Sequence, residues 1–257
     1  MMPTKTALVR EPGRSFVRAL STHPQKDSIH AGRARDQHRL YANALQAEGV
    51  RVLFLDPLES CPDATFVEDT AVIFTHCAVI CRMKEESRRG ETPSVAEEIS
   101  GLRTVKTLRP PVTCDGGDIL DTGEALFAGL SRRTNREALE ALSTLSGRPV
   151  IPVRVLRGLH LKSGVSFLGG NLLVIDPSSV ETDPFKNFEW IEVRPEESYA
   201  ANCLTLGGTV LMPSGYPRLE DKIREHGFKV VALEMSEFQK ADGGVTCLSL
   251  IIPEAPD

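Results

Sequence analysis

Residues of the types that carry acid–base and nucleophilic chemistry recur along this chain at similar intervals. They stand in five short polar segments, each followed by an apolar run: FVED at 66–69, DGGD at 115–118, HLKS at 160–163, ANC at 201–203 and DGGVTC at 242–247. The segments lie roughly 40 to 50 residues apart, the period expected of stacked supersecondary repeats. If equivalent strand ends meet, they deliver carboxylates, a histidine and a cysteine to one place. That combination predicts an active site.

Cys247 is the candidate nucleophile. Its surroundings, VTCLSL, are apolar and by themselves indicate a strand that carries a buried structural thiol. A catalytic thiol needs a base or a cation nearby to favour the thiolate, and His160 is the histidine at an equivalent position in the repeat. Asp115 or Asp118 supplies a third group that would orient the imidazole. The occurrence of these three residue types at equivalent positions of the repeat favours a cysteine–histidine–carboxylate site over a structural thiol.

Carboxylates form a second cluster, at or near the same segments: Asp63, Glu68, Asp69, Asp115, Asp118 and Asp242. Aspartate beside glycine often serves only in turns. Carboxylates that converge would repel one another unless a cation joins them, and a guanidinium matches them with paired N–H donors. Arg88 and Arg133 follow in two SRR segments, either as solvated charges or as partners of a ligand carboxylate.

The predicted elements would place these polar segments at equivalent strand ends. Each segment precedes two β-like runs joined by a glycine or polar turn, then an amphipathic stretch and a third apolar run. Helices are predicted at 33–47, 95–101, 135–145 and 218–226. The last copy stops after the run 248–252, and the strand predicted at 7–10 would complete it. This pattern predicts a single domain over 1–257 with an α/β fold, a five-bladed α/β propeller of pseudo-fivefold ββαβ repeats.

Composition limits the classes of partner. A formal charge of −5 without a lysine or arginine block argues against nucleic acid and anionic membranes, and fits a cationic or zwitterionic small molecule. We expect no membrane association, because no apolar run approaches roughly 18 residues, and a cytoplasmic location, because no leader pattern opens the chain. Cys77 and Cys81 beside His76 fall short of the roughly four donors of a zinc site, so no metal or cofactor is expected. Residues 23–32 are predicted to form a surface loop that acts as a lid.

The motifs resemble one family along essentially the whole chain. The strings GLSRRTN at 129–135 and GLHLKS at 158–163, with FVED, DGGD, ANC and the terminal TC, are similar to dimethylarginine dimethylaminohydrolases. That resemblance implies the five-bladed propeller of the guanidine-modifying enzymes, the pentein fold, and agrees with the repeat count. It also implies hydrolysis of dimethylarginine or monomethylarginine to citrulline and an alkylamine, and makes a homodimer an expectation.

The resemblance implies roles for individual residues. Cys247 would attack the guanidinium carbon and form a covalent thiouronium adduct. His160 would protonate the departing amine and then activate water, with Asp115 holding the ring. The remaining residues would contact the substrate: Asp69 and Glu68 its guanidinium, Arg88 and Arg133 its α-carboxylate, Asp63 and Asp242 its other polar groups, and Leu20 from the lid.

Two other readings stay open. Arginine deiminases and amidinotransferases resemble the same pattern but carry His-x-Asp at the catalytic histidine, where this chain has Lys162. A dimethylated nitrogen has no hydrogen to donate, so the missing carboxylate favours an alkylated substrate. The second alternative is a propeller that binds a partner without catalysis, because fold alone does not fix function.

Overall fold

Five three-stranded sheets of the same topology organise the computed structural model, which describes residues 5–254. In each sheet the first strand is antiparallel to a central strand, and the central strand is parallel to the third. The strands of the described residues are β1 (Thr6–Arg10), β2 (Arg51–Leu55), β3 (Ala71–Ile73), β4 (Cys77–Ile80), β5 (Thr104–Thr107), β6 (Ile119–Asp121), β7 (Leu126–Leu130), β8 (Val150–Arg154), β9 (Val165–Gly169), β10 (Leu172–Ile175), β11 (Glu189–Glu192), β12 (Leu204–Leu206), β13 (Thr209–Pro213), β14 (Lys229–Leu233) and β15 (Ser249–Ile252). The predicted α/β repeat is therefore confirmed at the level of the individual sheets.

In four of the sheets a helix connects the two parallel strands, because parallel neighbours need a crossover. These helices are α1 (Ala31–Ala47), α2 (Thr92–Ser100), α3 (Glu137–Ser146) and α4 (Pro217–Glu225), and a short fifth helix, α5 (Ser236–Gln239), lies between β14 and β15. The first four confirm the predicted helices, and the crossover from β10 to β11 holds only the 3-10 turn Asp183–Phe185. Within 5–254, no helix combines the length and the apolar character that crossing a bilayer requires.

The chain divides into two compact units, and each has its own sheets and core. Unit 1 comprises the described parts of Met1–Gly116, Ser236–Gly243 and Cys247–Asp257, and unit 2 comprises Gly117–Met235 and Gly244–Thr246. Unit 1 holds the sheets β15-β1-β2 and β3-β4-β5, which share a core that includes Leu8, Ala78, Ile99 and Leu250. Unit 2 holds the other three sheets, with cores that include Phe127, Leu173, Phe185, Val210 and Ile223.

The two ends of the chain pair in one sheet, as the sequence predicts. Strand β1 lies between β15 and β2, with Thr6 opposite Ile252 and Leu8 opposite Leu250. Residues 7–10 therefore supply the partner that the last repeat lacks.

Two local predictions are corrected by the structure. Residues 23–32 are not loop throughout, because they include the 3-10 turn Lys26–Ser28 and the start of α1, whose N-cap is His30. Cys247, placed by its apolar neighbours on a strand, lies instead in the 3-10 turn Thr246–Leu248 that precedes β15. A comparable 3-10 segment precedes the first strand of each other sheet: Val67–Thr70, Gly116–Asp118, Leu161–Ser163 and Pro195–Ala201.

His38 is a buried histidine in the core of unit 1. Its side chain on α1 is 1% exposed, and among the described residues its Nε2 has no hydrogen-bond partner. Its ring centroid lies 6.4 Å from that of Tyr41. Burial lowers the pKa of His38 from 6.5 to about 4, because the imidazolium would lose its hydration without gaining a partner.

Acid should therefore destabilise this protein partly through His38. Between about pH 6.5 and pH 4 the unfolded state binds the proton that the folded state excludes, so stability falls as the pH falls through that window. We expect the wild type to lose about 3 kcal/mol relative to His38→Phe between pH 7 and pH 4. Urea unfolding of both proteins across this range measures the difference. Parallel pH profiles for the two proteins would contradict the prediction.

Candidate active site

The candidate nucleophile is the most accessible of the six cysteines. All six fall within the described residues as free thiols; five are buried, and only Cys247 is partly exposed. Two residues further along, Ser249 Oγ lies 2.6 Å from the hydroxyl of Tyr41, with both side chains buried. Burial raises the pKa of Tyr41, the bond to Ser249 opposes this, and the charges of Glu68 and Cys247 add to the rise. Tyr41 thus lies within electrostatic reach of the candidate nucleophile and of one predicted substrate-binding carboxylate.

Arg88 is the centre of a buried ion-pair cluster in unit 1. Its Nη1 donates to Asp69 Oδ2 at 2.7 Å, and its Nε and Nη2 donate to the two carboxylate oxygens of Glu91, each at 2.9 Å. Nη2 also donates to the Phe66 carbonyl at 3.3 Å. Burial lowers the pKa of Arg88, but the charges of Glu91, Asp69 and Asp63 raise it well above its usual value.

These hydrogen bonds limit how Arg88 can bind a ligand carboxylate. A guanidinium has five N–H donors, and four hydrogen bonds of Arg88 go to protein acceptors. A ligand carboxylate would therefore meet one remaining donor on Nη1. The role of Arg88 in binding that carboxylate stays a prediction.

The residues directly before the predicted lid at 23–32 are hydrogen-bonded to two predicted site carboxylates. The backbone N–H of Leu20 donates to both carboxylate oxygens of Asp63, at 3.1 and 3.2 Å. Thr22 donates to Asp242 Oδ2 from its backbone nitrogen at 2.6 Å and from its hydroxyl at 3.1 Å. Asp63 and Asp242 therefore hold the backbone of residues 20–22 in this structure.

Asp115, the predicted partner of the catalytic histidine, is fully buried in unit 1 beside two thiols. Cys81 shares a hydrogen bond with Cys114, and this bond, burial, and the charges of Cys114, Asp115 and Asp69 raise the pKa of Cys81 well above its usual value. Cys81 thus lies near two of the predicted site carboxylates. Cys81 and Cys114 are therefore buried thiols next to Asp115.

In unit 2, the loop of His160 is held by Asp118. Asp118 Oδ1 accepts from the backbone N–H of Leu161 at 3.0 Å, and its Oδ2 accepts from the hydroxyls of Ser131 and Thr134 at 2.6 and 2.7 Å. Burial raises the pKa of Asp118, while the charge of His160 and these hydrogen bonds oppose the rise. Asp118 therefore positions the backbone directly after His160.

Asn202 similarly positions Thr246, near the end of the DGGVTC segment, within unit 2. Its Oδ1 accepts from the backbone N–H of Thr246 at 2.9 Å, and its Nδ2 donates to Thr246 Oγ1 at 2.9 Å. The same Nδ2 donates to the Lys162 carbonyl at 2.8 Å. A side chain on Gly244 would collide with this amide, so the second glycine of the segment is required by close packing.

The predicted residues are distributed over both units. Unit 1 contains Cys247, Asp115, Asp63, Glu68, Asp69, Arg88, Asp242 and Leu20, and unit 2 contains His160 and Arg133. The backbone N–H of Arg133 donates at 2.9 Å to Ser131 Oγ, the hydroxyl that also donates to Asp118. Sequence reasoning assigned no role to Glu91 or Tyr41. The one available signal for Glu91 was its position three residues after Arg88, a spacing typical of side-chain pairs in helical turns.

Comparison with known proteins identifies the family. The model for "N,N dimethylarginine dimethylhydrolase, eukaryotic" matches residues 15–252. A dimethylarginine dimethylaminohydrolase of Pseudomonas aeruginosa is 38% identical over 252 residues, covering 96% of this chain and 98% of the relative. The chain belongs to the dimethylarginine dimethylaminohydrolase family. A second member, from Streptomyces coelicolor, is 36% identical over 261 residues and covers both chains fully.

Solved structures of dimethylarginine dimethylaminohydrolases have the same fold. The Pseudomonas aeruginosa enzyme complexed with citrulline superimposes with a TM-score of 0.92 at 36% identity, covering 98% of this chain and all of that one. An adduct with S-methyl-L-thiocitrulline gives 0.92 at 37% identity, with 97% and 100% coverage. The N-terminal domain of a cyanobacterial arginine dihydrolase gives 0.90 at 22% identity, with 98% and 100% coverage, which shows a shared fold alone.

Proposed function

We propose that this protein hydrolyses Nω,Nω-dimethyl-L-arginine, and also Nω-monomethyl-L-arginine, to L-citrulline and dimethylamine or methylamine. The observation that carries the proposal is the full-length match to dimethylarginine dimethylaminohydrolases, together with the one partly exposed thiol standing at Cys247. A nucleophile must be reachable by substrate, and the five buried cysteines are not. The reaction needs no redox step, and the expectation of no cofactor stays a prediction.

In the first step the Cys247 thiolate attacks the guanidinium carbon. A C–S bond forms, and the carbon becomes tetrahedral. His160 gives a proton to the alkylated nitrogen, the C–N bond breaks, and dimethylamine leaves. A thiouronium remains on sulfur. The positive charge of the bound guanidinium itself favours the thiolate, so Cys247 need not be ionised before substrate binds.

In the second step water replaces the sulfur. His160, neutral after giving up its proton, takes a proton from water, and the resulting hydroxide adds to the thiouronium carbon. The C–S bond breaks and Cys247 regains its thiolate. The added hydroxyl loses its proton to solvent, and the oxygen remains on the carbon as the ureido C=O of citrulline. Asp115 is assigned the role of orienting the imidazole, and Asp118 supports the loop that carries it.

Substrate binding is assigned to the buried charges. Asp69 and Glu68 would pair with the guanidinium, because carboxylates match its N–H donors. Asp63 and Asp242 would bind other polar groups of the substrate, with Leu20 contributing from the segment they hold. Arg133, with the remaining donor of Arg88, would bind the α-carboxylate.

Citrulline release by the purified protein tests the function. Four compounds are assayed in parallel: dimethylarginine with both methyl groups on one nitrogen, monomethylarginine, symmetrically dimethylated arginine and arginine. We expect citrulline from the first two only. Turnover of arginine instead would assign the protein to the deiminases and would show that Lys162 does not exclude the unsubstituted guanidinium. Absence of turnover with all four would favour a binding protein.

We also propose how the five sheets are arranged. The five similar sheets, with β1 pairing β15 across the two ends of the chain, support a single domain closed as a five-bladed α/β propeller. A solution scattering curve that fits an open arrangement would contradict closure. The cytoplasmic location and the homodimer stay predictions, which cell fractionation and sedimentation analysis check.

A further inference from the structure

Glu91 is a buried carboxylate that the mechanism above does not use. It ends the 3-10 segment Glu86–Glu91 and is fully buried. Burying a carboxylate is costly unless a partner compensates the lost hydration. Glu91 has such a partner, because Arg88 donates from Nε to Oε1 and from Nη2 to Oε2, each at 2.9 Å. This is the paired geometry in which a guanidinium binds a carboxylate most strongly.

The position of Glu91 limits how Arg88 meets Asp69. Glu91 occupies the Nε–Nη2 edge of the guanidinium, and the Phe66 carbonyl takes a further donor of Nη2. Arg88 therefore reaches Asp69 through Nη1, with the described bond going to Oδ2 at 2.7 Å. An arginine without Glu91 would turn its paired edge toward the nearest carboxylate, because two parallel bonds are stronger than one.

Further charged groups act on Glu91. Arg10 interacts electrostatically with Glu91, and its Nη1 donates to the Ala64 carbonyl at 3.2 Å. The charges of Asp63 and Asp69 disfavour the ionised form of Glu91. The buried ion pair with Arg88 therefore offsets part of the lost hydration of Glu91 and part of the repulsion from these two carboxylates.

We propose that Glu91 is a positioning residue for the substrate guanidinium: it holds Arg88 to a single hydrogen bond with Asp69 and so limits the competition of Arg88 with the substrate for that carboxylate. The inference rests on the proposed function, in which Asp69 pairs with the guanidinium. Without Glu91, Arg88 chelates Asp69 through both carboxylate oxygens and competes with the substrate. Loss of Glu91 therefore weakens substrate binding more than it slows the chemical steps.

The pH dependence expected for Glu91 supports the same positioning role. Burial raises the pKa of Glu91 to about 7, although Arg88 opposes the rise and Asp63 and Asp69 add to it. The groups facing it are the two carboxylates and the permanent cations Arg10 and Arg88. As the pH falls through about 7, Glu91 loses the charge that binds Arg88. Substrate binding should weaken in that range.

Glu91→Gln keeps the shape of the side chain and removes its charge. We expect KM for dimethylarginine to rise about tenfold or more, the scale of losing one hydrogen bond to a charged group, with kcat changing much less. Glu91→Asp keeps the charge on a shorter side chain and should recover part of the affinity. The matched control is Glu86→Gln, because Glu86 pairs with Arg89 at 2.8 Å with the same spacing in the same turn while its side chain is 84% exposed. This control should leave KM within about twofold of wild type.

A crystal structure of Glu91→Gln gives a readout that does not depend on turnover. We expect two hydrogen bonds between Arg88 and Asp69 in place of one. A retained single Nη1–Oδ2 bond, or a KM equal to that of the Glu86→Gln control, would overturn the proposal. If Glu91→Gln does not fold, the pH dependence of the wild-type KM is decisive. A rise of about tenfold from pH 8 to pH 6 supports the proposal, and a flat profile overturns it. A wild type that releases no citrulline refutes the proposed function instead, and the crystal structure still decides the role of Glu91.

Discussion

Cys247→Ser should abolish citrulline release while leaving the fold intact. A serine hydroxyl at this position is almost fully protonated at neutral pH and is a much weaker nucleophile than a thiolate. We expect kcat/KM for dimethylarginine to fall by about three orders of magnitude or more, which corresponds to about 4 kcal/mol of lost transition-state stabilisation. Because Cys247 is partly exposed, the exchange of sulfur for oxygen should change the free energy of unfolding by less than about 1 kcal/mol.

The covalent intermediate makes this prediction sharper. Mass spectrometry of wild-type protein quenched during turnover should detect an adduct on the peptide that contains Cys247, and the Cys247→Ser protein should carry none. The matched control is Cys61→Ser, since the Cys61 thiol hydrogen-bonds the Ser87 carbonyl at 3.5 Å and a hydroxyl can replace that bond. Activity retained in Cys247→Ser, or an adduct found on another cysteine, would move the nucleophile elsewhere.

Gly116→Ala should be among the most damaging single-methyl substitutions in unit 1. A Cβ at Gly116 would overlap the carbonyl oxygen of Glu68 and lie 2.7 Å from that of Ala71. Both obstacles are backbone atoms of the segment that carries Asp69 and leads into β3, so no side-chain rotation relieves them. We expect a loss of about 3 kcal/mol of stability, at the upper end of overpacking costs, and a fall in activity because Asp115 is displaced.

Gly208→Ala is the matched control for that substitution. Gly208 lies in the turn between β12 and β13, where an added Cβ meets no atom within 4 Å. This variant should unfold in urea within about 0.5 kcal/mol of wild type. Equal unfolding midpoints and equal citrulline release for the two variants would contradict the prediction. They would show that the Glu68 and Ala71 carbonyls can move away from a Cβ at position 116.

The sequence predicts the sheets well because their signals are local. Apolar runs flanking glycine turns, as at β9–β10 and β12–β13, specify antiparallel pairs within a few residues. The turn that holds Cys247 is different, because three residues of 3-10 helix carry no period and its neighbours have the alternation of a strand. Tertiary packing rather than local propensity determines where that strand begins.

Glu91 shows why part of the candidate site could not be predicted. The segment from Glu86 to Glu91 contains two glutamate–arginine pairs with the same spacing, Glu86–Arg89 and Arg88–Glu91. The Glu86–Arg89 pair lies on the surface, and the Arg88–Glu91 pair is buried beside Asp69. The six residues from Glu86 to Glu91 do not by themselves show which of the two pairs is buried. Burial depends on which side of the turn faces the core, so a role for Glu91 follows only from the three-dimensional structure.

The sheet β15-β1-β2 has a consequence for how this protein is made. Strand β1 leaves the ribosome before its antiparallel partner β15, and the other strands of the described residues are synthesised between them. Such contacts between distant parts of the chain are slow to form, and an exposed strand edge is prone to wrong pairing while it waits. A nascent chain interrupted before β15 lacks both that partner and the Cys247 turn directly before it. The segment from Cys247 to the end of β15 must therefore be synthesised before this sheet can form and before the proposed nucleophile can react with a guanidinium.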